Sequence, residues 1–319
     1  MILGGAGGIG KALSRYLIEH YSANVIWLGR RSLEQGITAE LDSFRDLSHV
    51  PIYFQADATD PAALAEAHRQ IKQRFAHIHG VINSAIVLHD QSVLSMEERT
   101  FALVLGTKVA SSVNMAQVFG HEPLDFMLFF SSLAAFLKTA GQSNYTSGSV
   151  FQDAFAHHLR NVCRFPVKIM NWGYWGEFGA GASEHYRQRM ANIGVACIDT
   201  AEGIAAVEFL LRSSLSQLGF IRMLDFNALN ILPGMLLDRA LEIGDRYATV
   251  SDVAGVLARA DLQMQALLPQ PPGATMAVAP QVAALAASLP AEANGGWRRC
   301  QRETRQSRCA ICAAGHWLI

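Results

Sequence analysis

Three side chains in this sequence could act together on a carbonyl group: Lys108, Ser132 and Tyr145. The lysine lies in a helical pattern, the serine ends the Phe126 to Ser131 apolar run, and the tyrosine opens the next helix. Hydride addition to a ketone carbon leaves an alkoxide that must be protonated as it forms, so a phenol beside the carbonyl oxygen is a suitable general acid. An ordinary phenol titrates near about pH 10, too high for easy transfer at neutral pH. An ammonium about 4 Å away, at an effective dielectric near 20, contributes roughly 4 kcal/mol. On that arithmetic Lys108 lowers the Tyr145 pKa by up to about three, before desolvation is counted. Ser132 would donate to the same oxygen and hold the carbonyl in place. Singly, each residue has a plainer reading: a helix-entry aromatic, a solvated lysine, a strand-ending turn.

A second group of residues is suited to a phosphate. Leu3-Gly4-Gly5-Ala6-Gly7-Gly8-Ile9-Gly10 sits where a strand hands over to a helix. Missing Cβ atoms there let backbone approach a pyrophosphate while helix N–H groups point at it, although a glycine cluster alone is also compatible with a tight turn. The next strand ends at Leu28-Gly29-Arg30-Arg31, where an NAD site would place a carboxylate on the ribose hydroxyls. Arg30 and Arg31 match a 2′-phosphate instead, so the expected cofactor is NADPH; the plainer reading is a solvated strand end. After the third strand come Asp57 and Ala58. Asp57 could accept from an adenine amino group or cap the helix at Pro61, for which Asp60 is the better N-cap.

These residues need a scaffold. Short β-branched or aromatic runs at Met1 to Leu3, Val25 to Leu28, Pro51 to Gln55, Gly80 to Asn83, Asp125 to Ser131, Val167 to Asn171 and Gly219 to Met223 read as strands. Helical patterns occupy Lys11 to His20, Pro61 to Phe75, Met96 to Phe119, Ser147 to Asn161 and Ala201 to Arg212. The alternation predicts an α/β fold with repeated βαβ units around a parallel sheet. His157 and His158 read as helix surface, with no metal-like companion at useful spacing. The charge is nearly balanced, with 26 basic and 27 acidic residues, which gives no nucleic-acid footprint. No apolar run reaches membrane-spanning length, and five unevenly spread cysteines without a secretory signal fit a cytoplasmic setting.

Leu3 to Gly10, Leu28 to Arg31, Ala56 to Asp60, Gly80 to Asp90, Phe129 to Ser132, Gly141 to Tyr145 and Asn171 to Gly176 together resemble the ketoreductase domain of modular polyketide synthases. The likeness is strongest to synthases whose acyltransferases act in trans, and it covers roughly residues 1 to 239. It implies the short-chain dehydrogenase/reductase fold, a Rossmann-like doubly wound sheet. It also implies NADPH-dependent reduction of a β-ketoacyl thioester on an acyl carrier protein. In that family Tyr145, Lys108 and Ser132 would take the roles argued above, and the spacing selects Ser132 over Ser131. Asn83, Ser84 and Ala85 would line the cofactor, and Trp172 and Gly173 would meet the nicotinamide carboxamide. Gly179 to Gly194 resembles the lid over the phosphopantetheine entrance.

Departures from the family pattern matter too. Ser149 stands where the family has an asparagine four residues after the tyrosine, which bears on how the lysine is held; it joins the candidate catalytic residues. Ile86 replaces a glycine. Leu88-His89-Asp90 partly matches the Leu-Asp-Asp signature of one stereochemical class, and Leu137 replaces the tryptophan of the other, which favours a D-configured alcohol. Two alternatives stay open: a catalytically impaired remnant that binds or scaffolds, and a nucleotide-sugar epimerase of the same superfamily, which Arg30 and Arg31 oppose.

The expected organisation is a catalytic domain over 1–235, a helical extension over 236–268, and a linker with a disordered tail over 269–319. The first strand reads as truncated, and family members carry an upstream structural subdomain, so a fragment of low stability that needs other synthase domains is expected. Cys300, Cys309, Cys312 and His316 could be arranged as zinc ligands, but their spacing is not a standard finger and no metal is expected.

Overall fold

The computed structural model describes residues 1–137, 140–178 and 182–224, together with the backbone of 316–318. Short runs rich in β-branched and aromatic residues become strands, with helices between them. In chain order these are β1 (Ile2–Leu3), α1 (Gly8–Tyr21), β2 (Ile26–Gly29), α2 (Thr38–Asp42), β3 (Ile52–Gln55), α3 (Pro61–Arg74), β4 (Gly80–Asn83) and α4 (Glu98–Phe119). There follow β5 (Phe126–Ser132), α5 (Ser143–Val162), β6 (Val167–Trp172), α6 (Glu184–Asn192), β7 (Val195–Ala196), α7 (Thr200–Arg212) and β8 (Gln217–Met223).

Strands pair in the order β3-β2-β1-β4-β5-β6-β8, each neighbour parallel to the next. The order reverses between β1 and β4, the point at which a doubly wound sheet opens a crevice beyond its carboxyl ends. The side chains of the strands alternate between two cores. Ile2, Trp27, Phe130 and Phe220 pack with α1 and α7 residues such as Leu13 and Leu210. Leu3, Leu28, Phe129 and Ile169 pack with Leu64, Met115 and Ala156 from α3, α4 and α5. The sheet is therefore covered on both faces, as its nearly all-apolar strands require.

Local chemistry sets the helix starts. Asp60 caps α3 by accepting from Ala62 N at 2.9 Å and Ala63 N at 3.2 Å, with Pro61 at the first helical position. Asp199 and Glu202 form a capping box on α7. The helix expected from Ser147 begins four residues earlier, at Ser143, after Gly141 turns the chain at φ +85°. The Asn144 amide then bridges the start of the helix, donating to His89 O at 3.0 Å and accepting from Tyr145 N at 2.7 Å. Residues 33–42 and α6 carried little apolar periodicity and were not legible as helical in the sequence.

By contacts the chain divides into two units. The first holds Met1–Met190 and Ala196–Arg222 and carries the sheet. Of the second, the described residues include Ala191–Val195 and Leu224, whose N–H donates to Gly194 O at 2.7 Å. The expected helical extension (236–268), most of the expected tail and the Cys300, Cys309 and Cys312 cluster lie outside the described residues. So do residues 179–181 of the expected lid. Within the expected tail, His316–Leu318 is a short strand, consistent with its aromatic and apolar character.

Two glycines test this packing in opposite directions. A Cβ on Gly10 would meet Gly5 backbone at 2.6 Å, whereas one on Gly106, inside α4, meets nothing within 4 Å. Gly10→Ala should lower stability by about 1–3 kcal/mol. Gly106→Ala should raise it by roughly 0.5–1 kcal/mol through helix propensity. Thermal melts of both variants against wild type check the pair.

Candidate active site

At the carboxyl end of β1 a cleft of about 270 Å³ opens, lined by Gly4, Ala6, Gly7, Arg30, Arg31, Asp57, Ala58, Ser84 and Ala85 among the expected residues. Gly4 has φ +76°, and a Cβ there would lie 2.8 Å from Ser84 O, so only glycine allows this turn. Gly5, Gly8, Ile9 and Gly10 do not line the cleft. A Cβ on Gly5 or Gly8 would run into the Trp27 or Phe178 ring at 2.2 Å, so those glycines serve close packing. Ile9 packs against the core. Helix α1 nevertheless starts here with no side-chain cap, which leaves its first N–H groups for an anion.

The groups around the cleft suit a dinucleotide. Arg30 is exposed, and its guanidinium has no hydrogen-bond or salt-bridge partner among the described residues, although its carbonyl accepts from Gln55 Nε2 at 3.1 Å; the Arg31 guanidinium donates to Ala6 O at 3.4 Å. Asp57 takes Thr59 N at 2.8 Å and Thr59 Oγ1 at 2.7 Å on one oxygen, leaving the other free of protein donors among the described residues. Helix α3 is capped by Asp60, so Asp57 is not spent there. These features fit a nicotinamide dinucleotide.

Three expected cofactor residues play other parts. Asn83 is fully buried and braces the loop, donating to Ser111 Oγ at 3.1 Å and accepting from Ala85 N at 3.2 Å. Trp172 packs edge-on against Phe130, Trp175 and Phe220 in the core, away from the cleft. Gly173 lies where a Cβ would meet Phe220 O at 2.8 Å. Thr107 and Ser111 of α4 line the cleft and were not foreseen. Only the helix-to-sheet docking brings them there.

Lys108, Ser132 and Tyr145 do converge. α4 and α5 pack side by side over the end of β5, and a Cβ on Gly148 would lie 3.1 Å from the Lys108 side chain, so glycine there leaves the lysine its path. Lys108 is 2% exposed, and its ammonium sits 5.2 Å from the Tyr145 ring centroid. It donates to Gln152 Oε1 at 2.9 Å and to Phe130 O at 3.3 Å. Ser132 caps the following 3-10 turn by accepting from Ala134 N at 3.1 Å. Ser149 donates to the Tyr145 carbonyl at 2.9 Å and makes no bond to the lysine.

The expected electrostatics need correction. Burial pushes the Tyr145 phenol up to about 12, and Tyr186 and Asp90 add to the rise, while the hydroxyls of Ser132 and Ser149 oppose it. The lysine does not offset this, because its ammonium faces the ring and spends its donors on Gln152 and Phe130. Burial in turn pulls the Lys108 ammonium down to about 8, against the attraction of Asp153. Asp153 is itself raised by burial and accepts from Asn171 Nδ2 at 2.8 Å. Among the described residues there is no cluster of three or more metal-ligating side chains, and no helix is long and apolar enough to cross a membrane.

The family model of the KR domain matches residues 1–177, more than half of the chain. This chain belongs to the ketoreductase domains of polyketide synthases. It is 47% identical over 223 residues to polyketide synthase PksN of Bacillus subtilis (strain 168), covering 70% of this chain and 4% of that protein. To PksM of the same organism it is 46% identical over 221 residues, covering 69% and 5%. A solved ketoreductase domain from the bacillaene assembly line superposes with a TM-score of 0.66 at 27% identity, covering 69% of this chain and 54% of that one. The ketoreductase thus spans a few per cent of the curated relatives' length. Ketoreductase domains of this superfamily are oxidoreductases that use nicotinamide cofactors.

Burial of Lys108 has a signature in stability. The unfolded lysine titrates near 10.5 and the folded one near 8, so between those values the unfolded chain binds more protons at this position. Its contribution to stability therefore rises with pH through that window, and below it the buried ammonium opposes folding. Lys108→Met should be more stable than the wild-type ketoreductase at about pH 7, with the difference narrowing towards about pH 10. Urea titrations of both proteins across that range measure it; a constant difference is the contrary result.

Proposed function

We propose that this ketoreductase uses NADPH to reduce a β-ketoacyl thioester, carried on an acyl carrier protein, to the β-hydroxyacyl form in polyketide biosynthesis. The convergence of Lys108, Ser132 and Tyr145 beside the Arg30-lined cleft carries this reading. NADPH, when bound, supplies the hydride. Gly4, Ala6, Gly7 and the uncapped start of α1 would hold the pyrophosphate, Arg30 and Arg31 the 2′-phosphate, and Asp57 the adenine amino group.

The chain's own groups then act on the substrate oxygen. Ser132 holds the carbonyl by a hydrogen bond, and the Tyr145 phenol gives up its proton as negative charge grows there. A phenol raised by burial keeps its proton throughout the neutral range and remains a donor. Transfer becomes favourable because the acceptor is an alkoxide, a far stronger base than the ketone it replaces. Lys108 keeps a positive charge beneath the ring and stabilises the phenolate that transfer leaves behind. The partial match of Leu88-His89-Asp90 to the Leu-Asp-Asp signature supports a D-configured alcohol; Asp90 accepts from Gln142 Nε2 at 2.7 Å. The partners on this reading are the carrier-bound thioester and neighbouring synthase domains, including an upstream structural subdomain.

Two measurements test the proposal. With NADPH and a small β-keto thioester, the reduced nicotinamide should be consumed and a D-configured alcohol formed, and Tyr145→Phe should lower kcat at least about 10²-fold. Absence of cofactor oxidation by a folded sample would point to a binding remnant, and rearrangement of a nucleotide sugar without net oxidation to an epimerase. Arg30→Ala should raise KM for NADPH by about tenfold or more, the loss of roughly one charged hydrogen bond, and leave KM for NADH nearly unchanged. Equal effects on both cofactors would argue against the 2′-phosphate assignment.

A further inference from the structure

Ser149 occupies the position from which the lysine was expected to be held, yet its hydroxyl is committed to the Tyr145 carbonyl. We propose that Gln152, one turn further along α5, is the positioning residue for Lys108 and ties it to the loop that lines the cofactor cleft. The inference rests on the reductase reading for its kinetic part only.

Gln152 is fully buried, and its amide is used at both ends. Oε1 accepts from Lys108 Nζ at 2.9 Å, while Nε2 donates to Ser112 Oγ at 3.2 Å. That fixes the orientation of the amide, since an ammonium can only donate. Asn83 Nδ2 approaches the same Ser112 Oγ at 3.4 Å, and Asn83 Oδ1 accepts from Ala85 N, which lines the cleft. The chain of contacts therefore runs from the lysine through Gln152, Ser112 and Asn83 to the cleft loop. The other acceptor for the ammonium, Phe130 O, is longer at 3.3 Å.

The titratable groups facing Lys108 are Tyr145 and Asp153, both from α5; β5 presents the Phe130 carbonyl. Asp153 acts on the lysine through charge, and no hydrogen bond joins the two. A side chain at 152 without an acceptor would leave a buried ammonium with one long hydrogen bond, which favours the neutral amine. Glutamate at 152 would keep the acceptor and add charge. It would favour the ammonium.

The experiment follows the Lys108 resonance by NMR in the full chain labelled with [ε-13C]lysine, assigned by its loss in Lys108→Met. Gln152→Leu should move the titration midpoint down by about one pH unit, the equivalent of one charged hydrogen bond, and Gln152→Glu should move it up. Ser149→Ala should leave it in place. In turnover with NADPH and a β-keto thioester, Gln152→Leu should lower kcat by about tenfold with KM for the thioester changed less than about twofold, and Gln152→Glu should recover part of the loss. An unmoved midpoint in Gln152→Leu overturns the proposal, as does a midpoint that follows Ser149→Ala. If Gln152→Leu does not fold, an unmoved midpoint in Gln152→Glu overturns it equally. A wild-type chain inactive on keto thioesters would sink the reductase reading, while the lysine titration would still decide the role of Gln152.

Discussion

A positive charge held almost out of water organises this site. The Lys108 ammonium lies between two helices at the end of the sheet, and burying such a group costs several kcal/mol unless its donors are satisfied. Much of the local sequence follows from that demand. Gly148 leaves room for the aliphatic stem, Phe130 contributes a carbonyl and Gln152 an amide oxygen. Ser111, Ser112 and Asn83 extend the polar network into an otherwise apolar interior. A partly satisfied network would be worse than none, which explains why so many small polar residues gather on one face of α4.

The sheet supplies the other half of the design. β1 contributes only Ile2 and Leu3 to the ladder, but each pairs on both sides, with Trp27 and Ile82 and with Leu28 and Asn83. Both are fully buried, on opposite faces. The turn that follows is pinned from below: Trp27 Nε1 donates to Ser14 Oγ at 2.8 Å, and Ser14 Oγ to Gly10 O at 2.6 Å. An indole in the core thus holds the start of α1 at a set distance from the strand, and the glycine turn that lines the cleft inherits its rigidity.

The strands and long helices were legible because their apolar runs are bounded by clear start signals, such as Asp60-Pro61. The glycine turn, the arginine pair and the lysine, serine and tyrosine were legible because their chemistry is unusual for the plain structural roles. What the sequence hid was three-dimensional. Gln152 and Thr107 acquire their places only when α4 and α5 dock, and nothing in their spacing marks them. The lysine's effect on the phenol was overestimated because sequence gives no orientation: the ammonium meets the ring instead of the oxygen. Trp172 was assigned to the cofactor from its motif, but its ring points into the core.

The exposed Arg30 guanidinium, with no acidic partner among the described residues, bears on how quickly the cleft fills. No ion pair has to be broken there before a polyanion docks, so its charge is available at the first encounter. Attraction of this kind reaches roughly one Debye length, about 8 Å at physiological ionic strength, and shrinks as salt is added. On the proposed assignment, capture of a multiply charged nucleotide would be sensitive to ionic strength at the stage of approach, whereas its escape would be governed by the short contacts formed with the glycine backbone after arrival.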